Sequence, residues 1–202
     1  SPASEGTGRM SPRPAIFMDR DGTVCQEVGY VNHVGRCALL PRSVAAVRRV
    51  NESGRLAIVA TNQAGVARGY FEEPLIGEVH ERMRALLAEG GARLDGIYYC
   101  AHHPTAGEPP YRAECDCRKP KPGMLLRAAQ ELDVDLGRSW MIGDSIRDIG
   151  AGRAAGTGTV MVMTGYGQGE RQYRSAGWSV RPDYFAEDLL DAVEWSLNQE
   201  KT

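Results

Sequence analysis

The chain has 202 residues, of which 42% are hydrophobic and 25% charged, with a formal net charge of −2 at pH 7. This composition is that of an ordinary folded domain, and the near-neutral charge argues against a nucleic-acid-binding or membrane-surface protein. No apolar run approaches the roughly 20 residues that span a bilayer, and no signal peptide is recognisable, so we expect a cytoplasmic protein.

The N-terminal residues and the cysteines indicate the domain organisation and the cellular compartment. Residues 1–14 are rich in Ser, Pro and Gly and predict a disordered lead-in, with residues 15–202 forming a single domain. The five cysteines are an odd number, and three of them fall between Cys100 and Cys117. This spacing argues against a disulfide framework and favours a metal site in a reducing compartment.

Short apolar runs alternate with helical patterns along the rest of the chain. Runs typical of buried strands are Ala15–Met18, Leu56–Ala60, Ile97–Cys100, Trp140–Ile142 and Thr159–Met163. Predicted helices are Arg42–Ser53, Pro74–Glu89, Gly123–Leu132, Ser145–Ala155 and about Ala186–Leu197. The Gly-rich stretch Gly165–Gly169 predicts a flexible loop. The alternation predicts an α/β fold, a parallel sheet with helices on both faces.

Polar residues follow three of the predicted strands. Asp19 comes after the first strand, Thr61 after the second and Gly143-Asp144 after the fourth. Ligands of parallel sheets bind at the carboxyl ends of the strands. We therefore expect these residues to meet in one site.

Asp19 and Asp21 suggest the chemistry of that site. Gly22 would allow the chain to turn, so that the two carboxylates converge. Close carboxylates repel each other unless a cation relieves them, and Mg²⁺ prefers oxygen ligands and phosphate. We predict that Asp19 attacks a phosphate ester and becomes phosphorylated, while Asp21 is the general acid and base.

The remaining parts of a phosphoryl-transfer site are also present. Thr61 supplies a hydroxyl group and Lys119 a positive charge, and both are predicted to stabilise the phosphoryl group. Asp144 is the predicted further metal ligand, with Asp148 in a supporting position one helical turn later. The sequence thus predicts a magnesium-dependent phosphatase.

A second metal site is predicted from cysteine and histidine spacing. Three thiolates and one imidazole match a tetrahedral, structural Zn²⁺ site, formed by Cys100, His102, Cys115 and Cys117 around a Pro/Gly-rich loop. His103 is the alternative to His102. Because the loop runs directly into Arg118 and Lys119, the zinc ion would position both.

The motifs Asp19-x-Asp21-Gly22-Thr23, Thr61, Lys119 and Asp144 with Asp148 resemble those of haloacid dehalogenase-like phosphatases. The resemblance implies a Rossmann-like core, an aspartyl-phosphate intermediate and Mg²⁺ bound by Asp19, the backbone carbonyl of Asp21, and Asp144. The intervals between the motifs are too short for a large cap domain. The chain is therefore similar to capless members.

The zinc motif narrows the resemblance. Cys-x-His-His-Pro, Cys-x-Cys-Arg-Lys-Pro and Asp-Arg-Asp-Gly-Thr together resemble the heptose 1,7-bisphosphate 7-phosphatase family, which serves nucleotide-activated heptose synthesis for bacterial surface glycans. The substrate-lining residues that this implies are Glu27, Val28, Gly29, Tyr30, Asn62, Gln63, Ala64 and Arg118. Ser145 departs from the pattern, because some relatives carry Lys there.

Two other functions fit part of the sequence. Histidinol-phosphate phosphatases share the zinc loop, but a bisphosphate needs cations for its second phosphate, and four are available: Arg68, Arg118, Lys121 and Arg147. A non-enzymatic zinc-binding interaction module would not need the two Asp-rich loops. We expect a monomer that acts on a small phosphorylated sugar, without nucleic-acid or membrane partners.

Overall fold

A computed structural model describes residues 10–199. The strands are β1 (Ala15–Met18), β2 (Leu56–Asn62), β3 (Gly96–Cys100), β4 (Trp140–Gly143), β5 (Gly158–Val162) and β6 (Tyr184–Ala186). The helices are α1 (Ser43–Glu52), α2 (Pro74–Glu89), α3 (Gly123–Leu132), α4 (Ile146–Ala155), α5 (Gly167–Arg174) and α6 (Leu189–Leu197). All strand pairs are parallel, in the order β3-β2-β1-β4-β5-β6.

Strand β1 shows why the sheet is covered on both faces. Its four residues are fully buried. Because side chains alternate across a strand, Ile16 and Met18 pack into one hydrophobic cluster and Ala15 and Phe17 into the other. Helices α1, α2 and α6 contribute to the first cluster, and α3 contributes to the second. The predicted α/β sheet with helices on both faces is confirmed.

The strand order places a topological switch point beside β1. The chain passes from β1 to β2 on one side, and later enters β4 on the other side of β1. Loops that leave β1, β2 and β4 therefore converge at one edge of the sheet. In the described part of the chain, the intervals after Asp19 and Thr61 hold α1 and α2 but no further sheet, so no large cap covers this edge.

Several predicted boundaries differ from the structure. The last helix begins at Leu189, since Ala186 belongs to the short strand β6, which was not predicted. The predicted loop Gly165–Gly169 is wrong in its second half, because α5 begins at Gly167. This helix is almost entirely polar and lacks apolar periodicity, but it is held to the sheet through Arg171, whose guanidinium lies 4.1 Å from the Phe185 ring.

The predicted lead-in also needs a correction at its end. Arg13 N donates to the Asp133 carbonyl over 3.0 Å, and Asp135 N donates to the Arg13 carbonyl over 2.9 Å. Residues 13 and 14 therefore belong to the fold, while residues 1–9 of the predicted lead-in lie outside the described part of the chain. None of the helices between residues 10 and 199 combines the length and apolar character needed to cross a membrane.

Candidate active site

A cavity of about 230 Å³ lies at the carboxyl ends of β1, β2 and β4. Its lining comprises Asp19, Asp21, Glu27, Gly29, Tyr30, Thr61, Asn62, Gln63, Ala64, Arg118, Lys119, Asp144, Ser145, Arg147, Asp148 and Tyr166. The structure thus brings together every residue predicted for catalysis, magnesium or substrate except Val28. That side chain is half-buried and packs against the hydrophobic core instead.

Three carboxylates form the floor of this cavity. Asp19, Asp144 and Asp148 each offer an oxygen within 4.8 Å of the others. Burial, followed by the charges of Asp19 and Asp148, raises the pKa of Asp144 to about 9. Such a buried cluster of like charges is costly without a cation, and its all-oxygen donor set fits Mg²⁺.

Lys119 supplies part of the missing positive charge. Its side chain is buried, and Nζ donates to Asp148 Oδ1 over 2.6 Å, to the Ala60 carbonyl over 2.8 Å and to Asp19 Oδ1 over 2.9 Å. Burial alone would lower the pKa of Lys119, but the charges of Asp148 and Asp19 outweigh it and raise the pKa. The lysine is therefore fixed as a cation beside the carboxylate of Asp19.

The hydrogen bonds separate the three aspartates by role. Asp148 is engaged at both oxygens, because Oδ1 accepts from Lys119 and Oδ2 accepts from Ser145 N over 3.1 Å. The latter bond belongs to the capping box that starts α4. Asp144 Oδ2 accepts from Tyr166 N over 2.9 Å, and the bonds that the described residues make to the Asp19 carboxylate reach Oδ1. Oδ1 of Asp144 and Oδ2 of Asp19 are thus available to a metal or substrate.

Asp21 is held by a buried arginine, Arg20, which is not among the predicted site residues. Arg20 is 1% exposed, and its guanidinium donates to both Asp21 oxygens over 2.9 Å. The same group contacts His80 Nε2 at 3.2 Å. An arginine between two candidate catalytic aspartates was the available signal in the sequence, but its contacts with His80 and Gln63 come from other segments of the chain.

Asn62 and Gln63, which follow Thr61, form hydrogen bonds that connect separate parts of the site. Gln63 Nε2 donates to Asp21 Oδ2 over 3.0 Å and to Thr61 Oγ1 over 2.9 Å. Asn62 exchanges two hydrogen bonds with the Lys119 backbone, at 3.1 and 3.0 Å. Both amide side chains, predicted as substrate-lining, therefore also hold the candidate catalytic residues in place.

The four predicted zinc ligands converge at the base of one loop. Sγ of Cys100, Cys115 and Cys117 and Nδ1 of His102 all lie within 4.8 Å of one another. Three thiols and one imidazole are a donor set that suits tetrahedral Zn²⁺. His103 points elsewhere: its Nδ1 accepts from Ala106 N over 2.9 Å, and its Nε2 contacts Arg68 at 3.1 Å.

The four available cations differ in position. Arg118 and Arg147 line the cavity, and no carboxylate of the described residues pairs with either of them. Burial, then the charges of nearby Arg147 and Arg68, lowers the pKa of Arg118. Lys121 points away from the cavity, since its Nζ donates to the Cys115 carbonyl over 2.7 Å. Arg118 and Arg147 thus form a positive mouth.

The comparisons with known proteins agree with this site. A family model described as "HAD-hyrolase-like" matches residues 116–192. The D-glycero-D-manno-heptose-1,7-bisphosphate 7-phosphatase of Thermosynechococcus vestitus is 43% identical over 190 residues, which cover 91% of this chain and 95% of the relative. The D-glycero-beta-D-manno-heptose-1,7-bisphosphate 7-phosphatase of Escherichia coli K12 is 44% identical over 153 residues, covering 75% of this chain and 80% of the relative.

A solved structure extends the similarity to the fold. The crystal structure of D,D-heptose 1,7-bisphosphate phosphatase from B. bronchiseptica, complexed with magnesium and phosphate, matches with a TM-score of 0.80 and 34% identity. The match covers 91% of this chain and 98% of that chain. The chain therefore belongs to the D-glycero-D-manno-heptose-1,7-bisphosphate 7-phosphatase family of the haloacid dehalogenase-like superfamily.

Proposed function

We propose that the protein is a magnesium-dependent phosphatase that removes the 7-phosphate of D-glycero-D-manno-heptose 1,7-bisphosphate. The observation that carries the proposal is the meeting of Asp19, Asp144 and Lys119 at the switch point of the sheet. The near full-length similarity to relatives that bear this name supports the substrate.

The residues of the cavity account for both chemical steps. Asp19 attacks phosphorus through its free oxygen, so that an O–P bond forms while the bond from phosphorus to the sugar oxygen breaks. Asp21 donates a proton to the departing sugar oxygen. It then takes a proton from the water that attacks the aspartyl-phosphate, which releases inorganic phosphate and restores the Asp19 carboxylate. Thr61 and Lys119 face the transferring group and stabilise its charge.

Each metal has its own set of residues in this proposal. Asp19, the backbone carbonyl of Asp21, and Asp144 would hold Mg²⁺, and Asp148 supports them through its bonds to Lys119 and Ser145. When bound, Mg²⁺ neutralises charge on the phosphoryl oxygens. Zn²⁺ would be structural, because four protein donors leave no open coordination position.

The positive mouth of the cavity favours a substrate with two phosphates. With the 7-phosphate on Asp19, the 1-phosphate lies outside the floor of the cavity, where no carboxylate of the described residues pairs with Arg118 or Arg147. Histidinol phosphate has no second phosphate to occupy this position. We infer further that the enzyme acts as a cytoplasmic monomer on this small sugar, in keeping with its free cysteines.

Phosphate release in the presence of Mg²⁺ tests the proposal. The substrates are both anomers of heptose 1,7-bisphosphate and histidinol phosphate, at matched concentrations. We expect a preference of about 100-fold or more for a heptose bisphosphate, equivalent to about 2.7 kcal/mol of transition-state discrimination. A preference for histidinol phosphate would contradict the proposed substrate but would leave the proposed role of Asp19 as nucleophile unchanged. Asp19→Asn should abolish release, whereas a zinc module with adventitious activity would be insensitive to it.

A further inference from the structure

The loop between β5 and α5, residues 163–166, closes one side of the cavity. Thr164 Oγ1 donates to the Gly22 carbonyl over 2.7 Å, and Tyr166 N donates to Asp144 Oδ2 over 2.9 Å. A Cβ on Gly165 would overlap both Asp144 Oδ2 and Gly22 Cα. Three successive residues of this loop thus contact the turn after Asp21 or the candidate magnesium residue Asp144, so the loop is built against the site.

The side chain of Tyr166 projects from this loop into the cavity lining. It is 54% exposed, so it does not serve the hydrophobic core. Glu27, which comes from the segment after β1, lines the same cavity, and its charge, followed by burial, raises the pKa of the Tyr166 phenol. The Glu27 carboxylate also accepts from Gly29 N over 2.6 Å. Glu27 thus lies at the cavity surface with a backbone donor from its own segment and with the phenol of Tyr166 lining the same cavity.

The chemistry of this pair suits a leaving group that is rich in hydroxyls. An ionised carboxylate only accepts hydrogen bonds, and a sugar supplies hydroxyl donors. A fixed acceptor binds more tightly than a mobile one, because less side-chain freedom is lost on binding. We propose that Tyr166 is a specificity-determining residue that positions Glu27 to accept hydrogen bonds from the hydroxyl groups of the sugar leaving group. This inference rests on the proposed function and names a recognition element of the same site.

Two substrates with different leaving groups test the proposal. Heptose 1,7-bisphosphate has a polyhydroxylated leaving group, whereas p-nitrophenyl phosphate has none of its hydroxyls. For Tyr166→Phe we expect kcat/KM on the heptose to fall about 10-fold, mainly through KM, with at most a twofold change on p-nitrophenyl phosphate. Glu27→Gln should show the same split. The double variant should lose no more than twofold beyond Glu27→Gln, because both changes remove one interaction.

Tyr173→Phe is the matched control, since Tyr173 lies on α5 and is 79% exposed. It should leave both substrates unchanged. Equal losses on both substrates in Tyr166→Phe would overturn the proposal and assign the loop a structural role through Asp144. Full additivity of the two variants, or no effect of Tyr166→Phe, would also overturn it. A wild-type enzyme that hydrolyses p-nitrophenyl phosphate but not the heptose would refute the proposed function itself, and this inference with it.

Discussion

Lys119 Nζ lies 2.6 Å from Asp148 Oδ1, and both side chains are buried, although they come from different segments of the chain. Lys119 follows the cysteine cluster, while Asp148 lies in the first turn of α4 and completes its capping box. The same Nζ reaches Asp19 Oδ1 at 2.9 Å. This ion pair therefore joins the candidate zinc loop, the start of α4 and the candidate nucleophile.

The first prediction concerns the loss of this cation. Lys119→Met should lower the free energy of unfolding by about 3–5 kcal/mol, because the carboxylates of Asp19 and buried Asp148 lose the positive charge that neutralises them. Urea denaturation at pH 7 in buffer without magnesium measures the loss. Added Mg²⁺ should restore part of it, since the ion supplies positive charge to the same carboxylates.

Lys121→Met is the control for this experiment. Lys121 is half-exposed and pairs with exposed Glu114 at 3.3 Å, so its replacement should cost less than about 0.5 kcal/mol. An equal loss of stability in both variants would show that the buried pair of Lys119 and Asp148 stabilises the fold no more than an exposed ion pair.

A second prediction compares the two neighbouring histidines of the cysteine loop. His102→Asn should lose bound zinc and unfold at a lower temperature, because His102 Nδ1 lies 3.3 Å from Cys117 Sγ within the four-donor cluster. His103→Asn should keep about one zinc per chain, since His103 Nδ1 caps the turn at Ala106 instead. Metal content by mass spectrometry and thermal unfolding of the two variants provide the test. Zinc loss in His103→Asn with retention in His102→Asn would reverse the assignment.

The sequence sufficed to predict the residues whose position follows from a strand end or from close spacing. Asp19 and Asp144 are fixed by the ends of β1 and β4, and the cysteine pair around residue 116 has too little chain to separate. Parallel strands bring their carboxyl ends together whatever the details of packing. These parts of the site were therefore predictable without knowledge of tertiary contacts.

Other parts of the site depend on contacts that no local pattern records. The role of Tyr166 arises because Thr164 bonds to Gly22, a residue far away in the sequence. The helix that follows, α5, is polar and contains two glycines, so periodicity could not reveal it. Arg20 donates to Asp21, and its guanidinium also contacts His80 and Gln63, which come from other segments of the chain.

The buried histidine behind Arg20 gives a third prediction, on pH dependence. Burial, then the charges of Arg20 and Arg84, lowers the pKa of His80 to about 3. An unfolded chain titrates histidine near pH 6.5, so below that pH the unfolded state binds the additional proton. The His80 contribution to stability is thus constant above about pH 6.5 and decreases below it, by about 2 kcal/mol at pH 5.

His80→Gln isolates this effect, because glutamine keeps an acceptor for Arg20 and does not titrate. Its free energy of unfolding, measured in urea between pH 5 and 8, should decrease less steeply than that of the wild type as the pH falls. Exposed His33 supplies the control, and His33→Gln should follow the wild-type curve. Parallel curves for His80→Gln and the wild type would contradict the prediction, because they would show that the pKa of His80 is the same in the folded and unfolded protein.

The last prediction concerns the positive mouth of the cavity. Arg147 lies on the cavity lining without a carboxylate partner among the described residues, close enough for its charge to lower the pKa of Arg118. An anion between the two guanidiniums would relieve their repulsion. Arg147→Glu should therefore lower kcat/KM for heptose 1,7-bisphosphate by about 10- to 100-fold, and change that for heptose 7-phosphate at most threefold.

Phosphate release from the two sugars measures this difference, because they differ only in the 1-phosphate. Arg174→Glu, at the exposed end of α5, makes the same change of net charge away from the cavity and should leave both substrates unaffected. A similar loss on both sugars would place Arg147 in phosphoryl transfer or folding. Loss in the Arg174 variant as well would indicate general electrostatic steering, which 0.5 M salt would screen because the Debye length falls to about 4 Å. A loss confined to Arg147 and to the bisphosphate identifies the guanidinium that receives the second phosphate.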